Sequence, residues 1–188
     1  MRTPALPSTS FAVLGVLSIR DMSAYELAAF ADMSLGYFWP MHRSLVYKEL
    51  PRLEAAGYVI GTSVVQQRSP DKRVYRLAQT GQDRLDEWLA SPGFQTTRLR
   101  NEFLLRLFFA GRLGRRRQQA LLAEYRVSVE QDLVDLRATV AKCKDIPGAF
   151  FGGLTALHGV RSREAMLLWI ADAEQALAAL PTDDSAMT

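Results

Sequence analysis

Residues 43–48 hold four side chains that can donate hydrogen bonds: Arg43, Ser44, Tyr47 and Lys48. Such donors bind the phosphate oxygens and base edges of nucleic acids. Apolar residues recur between them at helical spacing, at Leu45, Val46, Leu50 and Leu53. We therefore expect a helix over 43–56 that ends at Gly57. One of its faces should pack on a core, and the start of the opposite face should be free to meet a nucleic acid.

A short basic segment follows this helix. Arg68, Lys72 and Arg73 flank Pro70-Asp71, a pair typical of turns. Residues 40–76 hold seven basic and three acidic side chains, a net charge of +4, whereas the whole chain carries +3. A helix followed by a basic hairpin predicts a winged helix-turn-helix, in which the hairpin binds phosphates rather than reading bases. A solvated turn is the alternative interpretation of the basic loop.

Two helices are expected before the helix over 43–56. Residues 10–20 form an apolar stretch, and Ser23 with Glu26 has the spacing of a capping box, which predicts a second helix to about Met33. Tyr25 lies in the first turn of that helix. Its ring is a candidate for a phosphate contact or for the core, and the sequence favours neither.

Strands and one more helix are expected after the helix over 43–56, which would be the recognition helix of a winged helix-turn-helix. Strands are predicted near 58–67 and 73–78, and Thr80 is expected to cap a helix that runs through Leu89. Pro51 lies inside the recognition helix, lacks an amide hydrogen and should kink it. These elements define a predicted DNA-binding domain over residues 10–91.

The second half predicts an all-helical domain over residues 96–180. Residues 97–111 are apolar on one side, 114–144 read as one long helix, 146–153 interrupt it, and 154–180 form a last helix. The apolar positions of the long helix follow near-heptad steps: Leu122, Tyr125, Val129, Leu133, Leu136, Val140 and Cys143. The last helix adds Leu157, Val160, Leu167, Leu168 and Trp169. So much apolar surface in a small domain predicts a homodimer.

Several short patterns occur together in a familiar order: Tyr25-Glu26-Leu27, then Ser44, Tyr47, Leu50, Arg52-Leu53-Glu54 and Gly57, then Val74-Tyr75-Arg76-Leu77, and Thr80 with Arg84. With the apolar first helix, they resemble the PadR family of bacterial transcriptional regulators. Residues 100–105 and 167–169 resemble the longer branch of that family. The resemblance implies a mainly α fold, with a winged helix-turn-helix N-terminal domain, a two-stranded wing and an all-α C-terminal dimerisation domain.

Aromatic side chains outside the DNA-binding segment allow two interpretations. Packing within a core is one interpretation, for residues 37–39 between the two halves of the chain and for the second-half rings as part of helix packing. The other is a pocket for a flat apolar effector. The candidates for the pocket are Tyr37, Trp39, Phe108, Phe151 and Trp169. Arg115, Arg116 and Arg117 are expected on a solvated face or at a second phosphate.

Enzyme chemistry has little support in this sequence. Neither His42 nor His158 has metal-ligand spacing to Cys143, and no glycine-rich phosphate loop or nucleophile elbow is present. No metal or cofactor is expected. A single cysteine fits a reducing cytoplasm, and no apolar run is long enough to span a membrane.

We therefore predict a cytoplasmic, homodimeric repressor that binds a palindromic operator on double-stranded DNA and responds to a small effector. The expected DNA contacts are Tyr25, Arg43, Ser44, Tyr47, Lys48, Arg68, Lys72 and Arg73. Two alternatives remain open. One is a winged-helix module that binds protein, and the other is a small-molecule-binding protein without an operator.

Overall fold

A computed structural model describes residues 6–65, 72–93 and 101–181 of the chain. The chain divides into two compact units, Met1–Gln95 and Thr96–Thr188. Within the described residues, no helix combines the length and the apolar composition that a membrane span requires.

The first unit is a winged helix. Its elements in chain order are α1 (Ser8–Leu17), β1 (Met22–Ser23), α2 (Ala24–Leu35), α3 (Arg43–Ala55), β2 (Val59–Val64), β3 (Lys72–Leu77) and α4 (Gln79–Ala90). The three strands form one antiparallel sheet in the order β1-β3-β2. The predicted mainly α fold with a two-stranded wing is confirmed. The sequence did not indicate β1, because two residues carry no periodicity.

The core of this unit lies where α1, α2 and α3 meet the sheet. Leu14, Leu27, Leu50, Leu53 and Val59 are almost completely buried there. The capping box that starts α2 is confirmed, since Ser23 Oγ accepts a hydrogen bond from the Glu26 amide and the Ser23 amide donates to Glu26 Oε2 at 2.8 Å. The cap sets where α2 begins, and therefore where Tyr25 stands.

Helix α3 differs from the predicted helix in two ways. It continues through Pro51 to Ala55, so the expected kink does not end it. Leu45, predicted for the core, is 38% exposed, and Glu49 is buried on the packed face instead. The predicted stop at Gly57 is confirmed: its φ is +77°, and the Tyr58 amide donates to the Leu53 carbonyl at 2.9 Å.

Two other helix ends in this unit differ from the predictions. Helix α4 begins at Gln79, so Thr80 lies inside it and is not its cap. The Thr80 hydroxyl donates to the Gly57 carbonyl at 2.5 Å and ties α4 to the end of α3. Helix α2 extends two residues past Met33, to Leu35.

The second unit is a helical hairpin with a short helix before it. Its elements are α5 (Glu102–Phe108), a 3-10 turn (Ala110–Arg112), α6 (Arg115–Lys144) and α7 (Phe150–Ala179). Leu122, Val129, Leu133 and Leu136 of the predicted seam are buried on α6. Ion pairs also join the two long helices, with Arg126 on Glu174 and Arg163 on Asp132.

Helix α7 begins four residues earlier than the sequence predicted. Gly152 and Gly153 lie inside it, and a Cβ on Gly153 would come 3.2 Å from Cys143 Cβ. The glycines therefore let α7 approach α6 closely, rather than breaking a helix. The predicted core positions on α7 are partly wrong, since Leu168 is 71% exposed while Ala156 and Ile170 are buried.

Candidate nucleic-acid interface

The first turns of α3 present a row of polar side chains on their exposed face. Arg43, Ser44 and Lys48 are exposed, and Tyr47 is 51% exposed. Val46 is fully buried on the opposite side. The N-terminal end of a helix also carries unpaired amides and a partial positive charge, which favour an anion. The start of α3 is therefore a donor-rich, outward-facing surface.

A groove lies between the start of α2, the middle of α3 and strand β3. Tyr25, Tyr47, Lys72 and Arg73 line it, and their own elements supply the rest of the wall: Ser23, Ala24, Leu50, Pro51 and Tyr75. The groove has a volume of about 360 Å³. The guanidinium carbon of Arg43 lies 5.1 Å from the centre of the Tyr25 ring. Two tyrosines and two cations from three separate elements thus share one concave surface, which the sequence could not have placed together.

Each of the two cations in the groove has an acidic neighbour. Lys72 Nζ lies 3.4 Å from Glu26 Oε1. The Ser23 hydroxyl and amide, followed by Lys72, lower the pKa of Glu26 to about 2. Glu26 is therefore ionised at neutral pH, and its charge attracts the Lys72 ammonium to the N-terminal end of α2.

The second cation is held more closely. Arg73 Nη2 donates to Glu54 Oε1 at 2.6 Å, and the Gly61 amide donates to the same oxygen at 2.9 Å. The Arg73 hydrogen bond is the main cause of a lowered pKa at Glu54, and the reciprocal bond raises the pKa of Arg73. Sequence reasoning missed this pair, because its partners are separated by a turn and a strand.

A partly buried polar network fixes α3 on α1. Ser10 donates from α1 to Glu49 Oε1, Arg52 Nη2 donates to Ser10 Oγ at 2.6 Å, and Arg52 also donates to Glu49. Burial raises the pKa of Glu49, but the hydrogen bonds from Arg52 and Ser10 outweigh it and leave that pKa below its usual value. The network sets how α3 sits on the core, and therefore where its exposed face points. The sequence carried a signal for the burial of Glu49, because helical periodicity places this residue on the same side of α3 as Leu50 and Leu53.

The predicted DNA contacts divide into three groups. Tyr25, Tyr47, Lys72 and Arg73 come together in the groove. Arg43, Ser44 and Lys48 lie on the exposed part of α3 outside the groove lining. Arg68 lies outside the described residues. Tyr25 is 58% exposed, so the core interpretation of this residue is wrong.

Of the predicted effector residues, Trp169 belongs to the main aromatic cluster of the second unit, whereas Phe108 and Phe151 of the same unit do not. Phe103 stacks on Tyr125 with ring centres 3.7 Å apart, and Trp169 meets Phe103 edge-on at 6.1 Å. Phe108 is 82% exposed and Phe151 is 75% exposed, so helix packing within the unit does not account for either ring. In the first unit, Tyr37 packs edge-on against Phe38, and Trp39 is partly exposed.

The triple arginine at the start of α6 is only partly a solvated face. Arg115 donates to the carbonyls of Leu177, Leu180 and Pro181, and so caps the C-terminal end of α7. Arg117 pairs with Glu124 at 2.9 Å. In the part of the chain that the structure describes, no group of three His, Cys, Asp or Glu side chains could hold a metal ion.

Comparisons with known proteins agree with this architecture. Residues 13–87 match the Transcriptional regulator PadR-like family, and residues 99–178 match the family described as Virulence activator alpha C-term. The negative transcriptional regulator PadR of Bacillus subtilis is 26% identical over 132 residues, which cover 70% of this chain and 72% of that protein.

Two solved structures of B. subtilis PadR share the fold. The complex with operator DNA matches with a TM-score of 0.81 and 23% identity, over 91% of this chain and 99% of that one. The complex with p-coumaric acid matches with a TM-score of 0.73 and 19% identity, over 95% of this chain and 100% of that one.

Proposed function

Because the chain belongs to the PadR-like family of transcriptional regulators, we propose that it binds double-stranded DNA through the winged helix. The start of α3 enters a major groove, and the β2–β3 wing lies on the adjacent phosphates. The observation that carries the proposal is the groove in which Tyr25, Tyr47, Lys72 and Arg73 meet beside the exposed donors of α3. The Tyr25 phenol hydroxyl, the Arg43 guanidinium and the Lys72 ammonium, on three converging elements, suit a phosphate backbone next to the base-reading start of α3.

The proposed DNA contacts divide into candidates for base edges and candidates for phosphates. Ser44, Tyr47 and Lys48 project from the first turns of α3 and are the candidates for base edges. Tyr25 at the edge of the protein groove and Arg43 beside it, 5.1 Å from the Tyr25 ring, bind the DNA backbone. Lys72 binds a phosphate on the other side of the protein groove. Arg68, outside the described residues, stays a predicted phosphate contact from the sequence alone.

The proposed assembly is a homodimer on a palindromic operator. A two-fold axis relates two recognition helices, and the operator half-sites then lie about 34–36 Å apart or a multiple of that. Exposed apolar side chains of the second unit support self-association: Leu105, Phe108, Phe150, Phe151 and Leu168. Sedimentation equilibrium of the full chain at micromolar concentration tests this point, and a monomer would contradict it.

The proposed regulation is repression relieved by a small aromatic effector. The similarity to a negative regulator and to a protein solved with p-coumaric acid supports this direction. The candidates for effector contacts remain Tyr37, Trp39, Phe108, Phe151 and Trp169. An effector changes DNA affinity only if it binds one of two conformations of the protein, DNA-binding or released, more tightly than the other. Titration with planar aromatic acids should therefore quench tryptophan fluorescence and also weaken operator binding.

The deciding experiment is selection of genomic DNA fragments by the purified full chain, followed by sequencing and footprinting. We expect a palindromic motif that is protected on one face of the duplex. Weak binding with no enriched motif would contradict the proposal and favour the protein-interaction module. An aromatic ligand that binds without any enriched motif would favour the small-molecule-binding alternative.

A further inference from the structure

One carboxylate joins both strands of the wing to the end of the recognition helix. Glu54 lies in the last turn of α3, and its Oε1 accepts hydrogen bonds from Arg73 Nη2 and the Gly61 amide. Arg73 belongs to β3 and Gly61 to β2. The position of the wing relative to α3 is therefore tied to a single oxygen atom, 2.6 Å and 2.9 Å from its two donors.

The glycine at position 61 is required for space. A Cβ there would lie 2.5 Å from Arg73 Nε, 2.7 Å from Glu54 Oε1 and 3.0 Å from the ring of Tyr75. The first two atoms belong to the charged groups of flexible side chains, and the Tyr75 ring would have to shift by a few tenths of an ångström. An added methyl group would therefore displace the ion pair and press lightly on that ring, rather than move the backbone. Gly61 has no positive φ, and alanine is therefore compatible with its backbone conformation.

Arg73 and Lys72 are engaged very differently, although they are neighbours. The Arg73 guanidinium is directed at Glu54 and lies 5.8 Å from the centre of the Tyr75 ring. The Lys72 ammonium is 3.4 Å from Glu26, an ion pair near the long limit of a hydrogen bond. A phosphate can recruit Lys72 at little cost, whereas recruiting Arg73 would break a short charged hydrogen bond and release the wing from α3.

We propose that Arg73 is a positioning residue, which acts through Glu54 and Gly61 to fix the wing against the recognition helix. The inference rests on the proposed DNA-binding function. Because the wing is fixed, α3 and Lys72 can bind one operator half-site together. Once α3 is bound, Lys72 reaches its phosphate without a further loss of conformational entropy. Loss of the link should therefore weaken operator binding more than binding to unrelated DNA.

The test compares Gly61→Ala, Glu54→Ala and Arg73→Ala in the full chain. Thr62→Ala, on the same strand and exposed, is the matched control. The probes are the most enriched operator fragment and a shuffled duplex of equal length and composition. Binding is measured over a range of salt concentrations, and thermal melting checks that each variant is folded. Gly61→Ala is the sharpest variant, because it displaces the pair without changing any charge.

We expect all three variants to lose about tenfold in operator affinity, as for one misplaced base contact, with little change on shuffled DNA. The dependence of log affinity on log salt should stay as in the wild type. If Arg73 instead binds a phosphate, Arg73→Ala should lower that slope by about 1 and weaken both DNAs. In that case Gly61→Ala and Glu54→Ala would release Arg73 from its ion pair and strengthen binding to both DNAs. This result would overturn the inference.

A measurement without DNA separates this inference from the proposed function. The Gly61 amide should exchange its hydrogen faster in Glu54→Ala than in the wild type, and unchanged exchange would also overturn the inference. A wild-type chain that binds the selected and shuffled duplexes equally would refute the DNA function itself, and with it the role of Arg73 in specificity.

Discussion

Ser10 on α1 donates a hydrogen bond to Glu49 on α3, and both side chains are buried. Arg52 completes the network from its half-exposed position and balances the charge of Glu49. A buried carboxylate is tolerated only when its lone pairs are used, so this contact joins α3 to α1 in one specific register. The donors at the start of α3 project from the helix that this contact holds.

Ser10→Ala should destabilise the fold by about 1–3 kcal/mol, because Glu49 would keep its charge and lose a buried donor. Urea unfolding at neutral pH measures this loss. Ser18→Ala, at the C-terminal cap of the same helix, is the matched control, since Ser18 is exposed and its hydroxyl donates to the local Gly15 carbonyl at 2.7 Å. Equal stability of the two variants would contradict the assigned role of Ser10.

Stability should depend on the ionisation of Glu26. Its folded pKa of about 2 lies below the ordinary value of 4.5, so its contribution is complete above pH 4.5 and is lost as the pH falls toward 2. Glu26→Gln keeps the capping geometry and removes the ionisation. Unfolding of both proteins across this pH range should show that the wild type loses more stability than the variant. Parallel curves would contradict the lowered pKa.

Lys72→Ala should weaken binding to every DNA sequence and reduce the slope of log affinity against log salt by about 1. The variant lacks one cation that, when it binds a phosphate, releases a counterion from the DNA. Arg76→Ala is a suitable comparison, because Arg76 is an exposed cation on the same strand and does not line the groove. A slope that is unchanged in Lys72→Ala would remove this residue from the interface.

Tyr47→Ala should reduce operator binding by about 1–3 kcal/mol more than non-specific binding if the phenol contacts a base edge. Tyr47→Phe isolates the hydroxyl from the ring. Equal losses on operator and shuffled DNA would make Tyr47 a backbone contact, and no loss on either would refute its role.

The sequence by itself determined most of the helices, the wing strands and several of the faces of this protein. Helical spacing separated the donors of 43–48 from Val46, Leu50 and Leu53, and the Ser23–Glu26 pattern located the start of α2. These features are local: each depends on residues within a few turns of one helix, where backbone geometry fixes which side chains are neighbours.

Only the tertiary structure decided which of these faces meet. The approach of Arg73 to Glu54 across 19 residues, and of Lys72 to Glu26 across 46, depends on how the wing folds back on α2 and α3. The burial of Glu49 and the use of Gly152 and Gly153 inside α7 depend in the same way on a packed neighbour. Periodicity in a sequence reports that a side can be buried or exposed, but the partner on that side is set by packing between distant segments.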